Sequence, residues 1–111
     1  MIEKVVLDYL SASLDVPCYM EMPEDATGSF VVIEKTGTSV QNRIAKATFA
    51  IQSYAPTLAG AASLNDAVKT AMENIIERDD ISKAELNSDY NYTDTAMKIY
   101  RYQAVFVLTH Y

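Results

Sequence analysis

Tryptophan is absent, cysteine and histidine occur once each, and glycine and proline occur three times each in a chain of 111 residues. The lone Cys18 allows no internal disulfide; it reads as a small buried hydrophobe and implies a reducing compartment. Cys18 and His110 cannot between them build a zinc site of the usual nitrogen and sulfur ligands. The adjacent acids Glu24-Asp25 and Asp79-Asp80 do not have the alternating ligand spacing of a calcium loop. No metal is expected. The glycine-bearing segments Gly28-Ser29 and Thr36-Gly37-Thr38-Ser39 do not open a helix, as a phosphate cradle must, so no nucleotide or other cofactor is expected. His110 has no sequence neighbour that would orient it as a general base. The reading is therefore not an enzyme, with no catalytic residue to assign.

Basic residues are also scarce: 9 Lys and Arg stand against 15 Asp and Glu, a net charge of −6. That balance excludes a generic nucleic-acid binder, which holds phosphate with excess cations. The charge is distributed in blocks. Residues 1–25 carry −5, residues 26–65 carry +2, residues 66–94 carry −5, and the remainder carries +2. Alternating blocks suit association with other copies of the chain better than binding of a polyanion.

Hydrophobic residues make up 50% of the sequence, so the chain is neither disordered nor collagen-like. Its length fits one domain, residues 1–111, with a modest core. Acidic residues at Glu3 and Asp8 argue against a signal peptide. The uncharged stretch from Lys46 to Asp66 is too polar and changes period too abruptly to cross a membrane.

Ile2, Val5, Val6, Tyr9, Leu10 and Leu14 recur at helical spacing and predict a short amphipathic helix stopping near Asp15. Residues 17–22 predict a short strand, and Pro23 to Gly28 an acidic turn-rich loop. Phe30 to Lys35 predicts a strand covered on both faces. Thr36 to Asn42 reads as the mobile tip of a hairpin, and Arg43 to Tyr54 as its second strand. In that strand Arg43, Ala45, Ala47, Phe49, Ile51 and Ser53 form the core face.

Pro56-Thr57 predicts a helix start with Thr57 as N-cap. Leu58, Ala61, Leu64, Val68, Ala71, Met72 and Ile75 then keep one apolar stripe for about 20 residues, roughly 30 Å. The helix is expected to end near Glu77 to Asp80. Ile81 to Tyr92 and Tyr100 to Tyr111 predict two more strands, the second alternating Tyr102, Ala104, Phe106 and Leu108 with Arg101, Gln103, Val105 and Val107. The result is an α+β two-layer sandwich, order α-β-β-β-α-β-β, with two helices on one face of a mostly antiparallel sheet. The other face carries Thr48, Gln52, Tyr54, Val105 and Val107, a half-apolar surface suited to contact. Five of the eight tyrosines, Tyr90, Tyr92, Tyr100, Tyr102 and Tyr111, fall in the last third of the chain, and tyrosine suits half-wet interfaces.

The stretch Phe30-Val31-Val32-Ile33-Glu34-Lys35-Thr36-Gly37, then Asn42, then Phe49-Ala50-Ile51-Gln52-Ser53-Tyr54-Ala55 leading into an Ala-rich helix, resembles small tail terminator proteins of phages and prophages. Arg101-Tyr102-Gln103-Ala104 before a final apolar strand fits the same pattern, and the similarity runs from Val5 to Leu108. The resemblance implies an α/β sandwich subunit of a ring, commonly of six copies, that caps the tail tube and joins it to the head connector. Its partners would be other copies of itself, a tail tube protein and a head-tail connector protein, in the virion tail or neck and, during assembly, in the host cytoplasm. DNA would pass through without being gripped. A head-closure or adaptor neck protein, and a small dimeric ligand-binding domain, are the competing readings. A ring needs two different patches per subunit. Arg43 and Lys46 on one copy, facing Glu73, Glu77 and Asp80 on the next, are the expected pair.

Overall fold

The computed structural model describes residues 1–111. It contains α1 (Ile2–Ser13), β1 (Cys18–Tyr19), β2 (Phe30–Gln41), β3 (Ile44–Ala55), α2 (Leu58–Glu73) with a following 3-10 turn (Asn74–Glu77), β4 (Ile81–Asn91) and β5 (Tyr100–His110). The five strands form one sheet in the order β1-β2-β3-β5-β4. β1 pairs with β2 in parallel, and every other pairing is antiparallel. The α+β architecture and the order α-β-β-β-α-β-β are those expected.

Both helices lie on one face. Val6 and Leu10 of α1 join Val68, Ala71 and Met72 of α2 in a single core with Val31, Ile33, Ala47, Phe49, Ile51, Ala104, Phe106 and Leu108 of the sheet. Phe49 and Phe106 are direct partners across β3 and β5 and are both fully buried. Burial of a side chain of that size contributes about 2–3 kcal/mol. The core face of β3 is the predicted one over Ala47, Phe49, Ile51 and Ser53, but Arg43, expected on that face, is exposed because the hairpin turns at Asn42-Arg43 before the strand begins; the buried Ser53 hydroxyl has no hydrogen-bond partner.

Thr57 caps α2 as expected, its Oγ1 accepting from the Gly60 N–H at 3.0 Å. α2 ends in a 3-10 turn that carries the chain to Glu77, so the apolar stripe extends through buried Ile75 without remaining α-helical. The missing α-helical turn is a matter of ladder geometry: the N–H of Asn74 is shared among the carbonyls of Thr70, Ala71 and Met72. α1 is held to the sheet edge by the Glu3–Lys35 ion pair at 2.8 Å. The hydrogen bond from Lys35 holds the Glu3 carboxyl below its ordinary pKa.

Two expectations are corrected. The strand over residues 17–22 is only Cys18–Tyr19, because the Val31 N–H bonds to the Pro17 carbonyl at 2.9 Å and the chain then leaves the sheet. The segment Thr36 to Gln41 is strand and not a loop at the hairpin tip. Thr38, Ser39, Val40 and Gln41 pair with Ala47, Lys46, Ala45 and Ile44 in an unbroken ladder, and the turn is only Asn42-Arg43. Polar side chains here reflect two exposed faces rather than loop structure, since every residue from Glu34 to Gln41 is exposed.

A bulge between Lys35 and Gly37 marks β2, and β4 has two, between Ile81 and Lys83 and between Leu86 and Ser88.

Candidate assembly surfaces

The hairpin turn places Asn42 and Arg43 at φ +52° and +67°. Two positive φ values in a two-residue turn match the right-handed twist of the flanking strands. Asn tolerates this region, whereas Arg does so at a cost of about 1–2 kcal/mol. A cation is thus held at the very tip in a backbone conformation that glycine would fill more easily. Arg43 and Lys46 are exposed and take part in no ion pair. The hairpin from Thr36 to Lys46 has no acid.

The acidic counterpart lies at the end of α2. Glu73 is the last residue of that helix, Glu77 closes the 3-10 turn, and both are exposed without a cationic partner. The carbonyl end of a helix is already negative, and no basic residue occupies the last turn of α2. Asp80 is partly satisfied by Arg78, at 3.6 Å. The register Ala45–His110–Ile81 sets the hairpin turn and the Asp79-Asp80 loop at the same end of the sheet, on strands separated by β5. The five predicted interface residues therefore form two groups of opposite sign, on the hairpin and on the segment from α2 into β4, and the register sets the hairpin turn and Asp80 at one end of the sheet.

The face of the sheet away from the helices is occupied by an aromatic and amide network that residue patterning only partly announces. Phe30, Val32 and Tyr54 form a second buried cluster against Ala26, so Tyr54 is buried rather than part of an exposed contact face. The Tyr54 hydroxyl donates to Gln52 Oε1 at 3.1 Å, Gln52 Nε2 donates to Gln103 Oε1 at 2.9 Å, and Gln103 Nε2 donates to the Tyr90 hydroxyl. Arg101 closes the system: Nη1 donates to the Tyr54 hydroxyl at 3.2 Å, Nε to the Tyr92 carbonyl at 2.7 Å, and its guanidinium lies 4.4 Å from the Tyr92 ring centroid. Gln52, Gln103 and Arg101 are thus committed internally. A cleft of about 430 Å³ beside this network is bounded by Met22, Ala26, Phe30, Tyr54, Ile99 and Tyr100, with Lys98 its one charged residue.

On the helix side, Asp89 of β4 accepts from Asn65 Nδ2 and Lys69 Nζ, each at 2.6 Å. Burial pushes the Asp89 carboxyl up, but the hydrogen bonds from Lys69 and Asn65 and the Lys69 charge together hold its pKa below the ordinary value. The hydrogen bond to Asp89 raises the Lys69 pKa. Asn65 is 2% exposed, and its Oδ1 has no partner. Sequence reasoning missed this triad because Asn65 sits within the polar spacing of an amphipathic helix and Asp89 in a strand whose alternation is broken.

No set of three or more His, Cys, Asp or Glu side chains is placed to hold a metal ion. His110 Nδ1 has only the Tyr111 carbonyl nearby, at 3.2 Å. Burial pushes the Cys18 thiol up, with a hydrogen bond involving Ser11 opposing it, so the thiolate needed for nucleophilic chemistry is suppressed. No helix is long and apolar enough to cross a membrane. No family model matches the chain, and neither does any curated protein sequence.

Proposed function

We propose that this chain is a structural subunit of a phage or prophage tail, of the tail terminator kind, which assembles with copies of itself into a ring that caps the tail tube and joins it to the head connector. The observation that carries this reading is the presence of two groups of opposite charge of which only Asp80 has an ion-pair partner, Arg78. Arg43 and Lys46 stand on the hairpin, whereas Glu73, Glu77 and Asp80 follow one another on the segment that leads from the end of α2 into β4. A subunit with two different, complementary patches makes head-to-tail contacts, which form a ring when the rotation between copies closes. The absence of any cation surplus suits a ring through which DNA passes without sticking, since a lumen built from acidic subunits repels phosphate.

The test is assembly with tail tubes. Purified protein added to tubes that do not have it should bind one tube end, seen by electron microscopy, and stop further polymerisation. Decoration along the tube sides, or no binding, would reject the terminator role. A tail-less prophage phenotype with intact free heads on deletion would support it; normal tails would count against it.

A further inference from the structure

The sheet has two long unpaired edges. β1 covers β2 only at Val31 and Val32, which leaves the β2 edge bare from Ile33 to Gln41. At the other side the whole of β4, Ile81–Asn91, has no outer neighbour. Neither segment contains proline, and Thr36 to Gln41 is six residues without a charge. Natural edges are guarded by short length, charge, proline or bulges. The β4 edge has its two bulges, but the end of β2 has none of these guards beyond its single bulge at Thr36.

We infer that the bare edge of β2 is an interaction surface for the β4 edge of a second copy, so that a continuous antiparallel sheet runs from subunit to subunit. This deepens the ring reading above and rests on it for the number of copies. Three observations converge on this occupant. β2 and β4 run in opposite directions within one sheet, as follows from three successive antiparallel pairings. A rotation about an axis along the strands therefore sets β4 of one copy antiparallel to β2 of the next and keeps every helix layer on the same side. The hairpin turn and the Asp79-Asp80 loop are at the same end of the sheet, so the same rotation brings them level. The flank from Glu77 to Asn91 has five acids against two bases, while the hairpin from Thr36 to Lys46 has two bases and no acid. The pairing is thus complementary in strand direction, in level and in charge. A two-fold pairing of β2 with β2 would leave the β4 edges bare; the heterologous contact leaves no edge in a closed ring.

Hydrogen–deuterium exchange on the full chain, read by mass spectrometry at low concentration and at its solubility limit, tests the pairing without assuming a register. On association, amides of both 33–41 and 81–91 should exchange about tenfold or more slowly. Arg43→Glu with Lys46→Glu should abolish this protection, and adding Glu77→Lys with Asp79→Lys in the same chain should restore it. Protection of one edge alone, assembly with neither edge protected, or a chain still monomeric at its solubility limit would each overturn the inference. A ring that caps tubes with unprotected edges would reject the pairing and keep the tail role. A ring with protected edges that ignores tubes would do the reverse.

Discussion

Phe30 and Tyr54 stack face to face across β2 and β3, with ring centroids 4.6 Å apart and planes 8° from parallel. Tyr54 also receives a hydrogen bond from Arg101 and gives one to Gln52. Tyr54→Phe keeps the stack and removes both bonds, and should cost about 1 kcal/mol in urea denaturation. Tyr54→Leu loses the stack as well and should cost roughly 1 kcal/mol more.

Arg43 offers a test in which stability and association move in opposite directions. Arg43→Gly relieves a positive φ of 67° and should stabilise the monomer by about 1 kcal/mol, read as a higher denaturation midpoint. The same change removes a tip cation and should weaken self-association measured by light scattering at low salt. Arg43→Glu should weaken it further, and unchanged association in both variants would count against the charge pairing.

Asp89 governs one part of the pH dependence. A carboxyl with a lower pKa folded than unfolded stabilises above the unfolded value and loses that contribution as pH falls through the folded one. For Asp89 the loss therefore lies below its ordinary 3.8. Lys69, whose pKa is raised above 10.5, mirrors it: its contribution is present below that value and lost as pH rises through the folded pKa. Asp89→Asn should be less stable than the parent at pH 7, and the two stability curves should converge in strong acid. Asn65→Ala should cost about 2 kcal/mol at neutral pH, since it removes a donor to a charged group.

The start of α2 makes a fourth energetic case. Gly60→Ala would ordinarily gain about 1 kcal/mol of helix propensity. Here a Cβ would sit 3.0 Å from Thr57 Oγ1 and 3.1 Å from Ala55 Cβ, against the cap itself. The substitution should therefore destabilise, and in Thr57→Ala, which alone costs about 1 kcal/mol, the added penalty should shrink. Thermal melts of the two single variants and the double variant decide this.

Ser53 gives a prediction of the opposite sign. Its hydroxyl is fully buried and unpartnered. Ser53→Ala should raise stability by about 1 kcal/mol, measured by the shift in denaturation midpoint at constant slope.

How far the fold could be read from residues depended on uninterrupted periodicity. α1, α2, β3 and β5 each keep one period along most of their length, and their core-facing residues are largely those expected, with exposed Arg43 and buried Tyr54 the exceptions around β3. The end of β2 was hidden because both of its sides are exposed, so Thr36 to Gln41 has no alternation to read. Its tight turn was hidden because Arg43 stands where glycine usually signals such a turn. The two groups of opposite charge were legible as charge blocks, but the level of the hairpin turn and Asp80 along the strands depends on the register of β3, β5 and β4, which no local pattern encodes. The Gln52–Gln103–Tyr90 relay spans three strands and 51 sequence positions between its two glutamines, and has no linear signature.

The bulge between Leu86 and Ser88 has a consequence on both sides of the molecule at once. Before it, Leu86 lies opposite Phe106 on the helix side; after it, Asp89 lies opposite Ala104 on that same side, three positions later, while Tyr90 lies opposite Gln103 on the far side. Asn87 is the extra residue that shifts the parity. Were Asn87 paired in a regular ladder instead of bulged out, strict alternation would turn the phenol of Tyr90 into the helix layer and the carboxylate of Asp89 away from Lys69 and Asn65. One surplus residue in an edge strand thus acts as a switch in phase that directs two adjacent side chains to networks on opposite faces. Deleting Asn87 would remove the bulge yet leave both networks on their faces, because Ser88, Asp89 and Tyr90 would then follow Leu86 in regular register opposite Val105, Ala104 and Gln103.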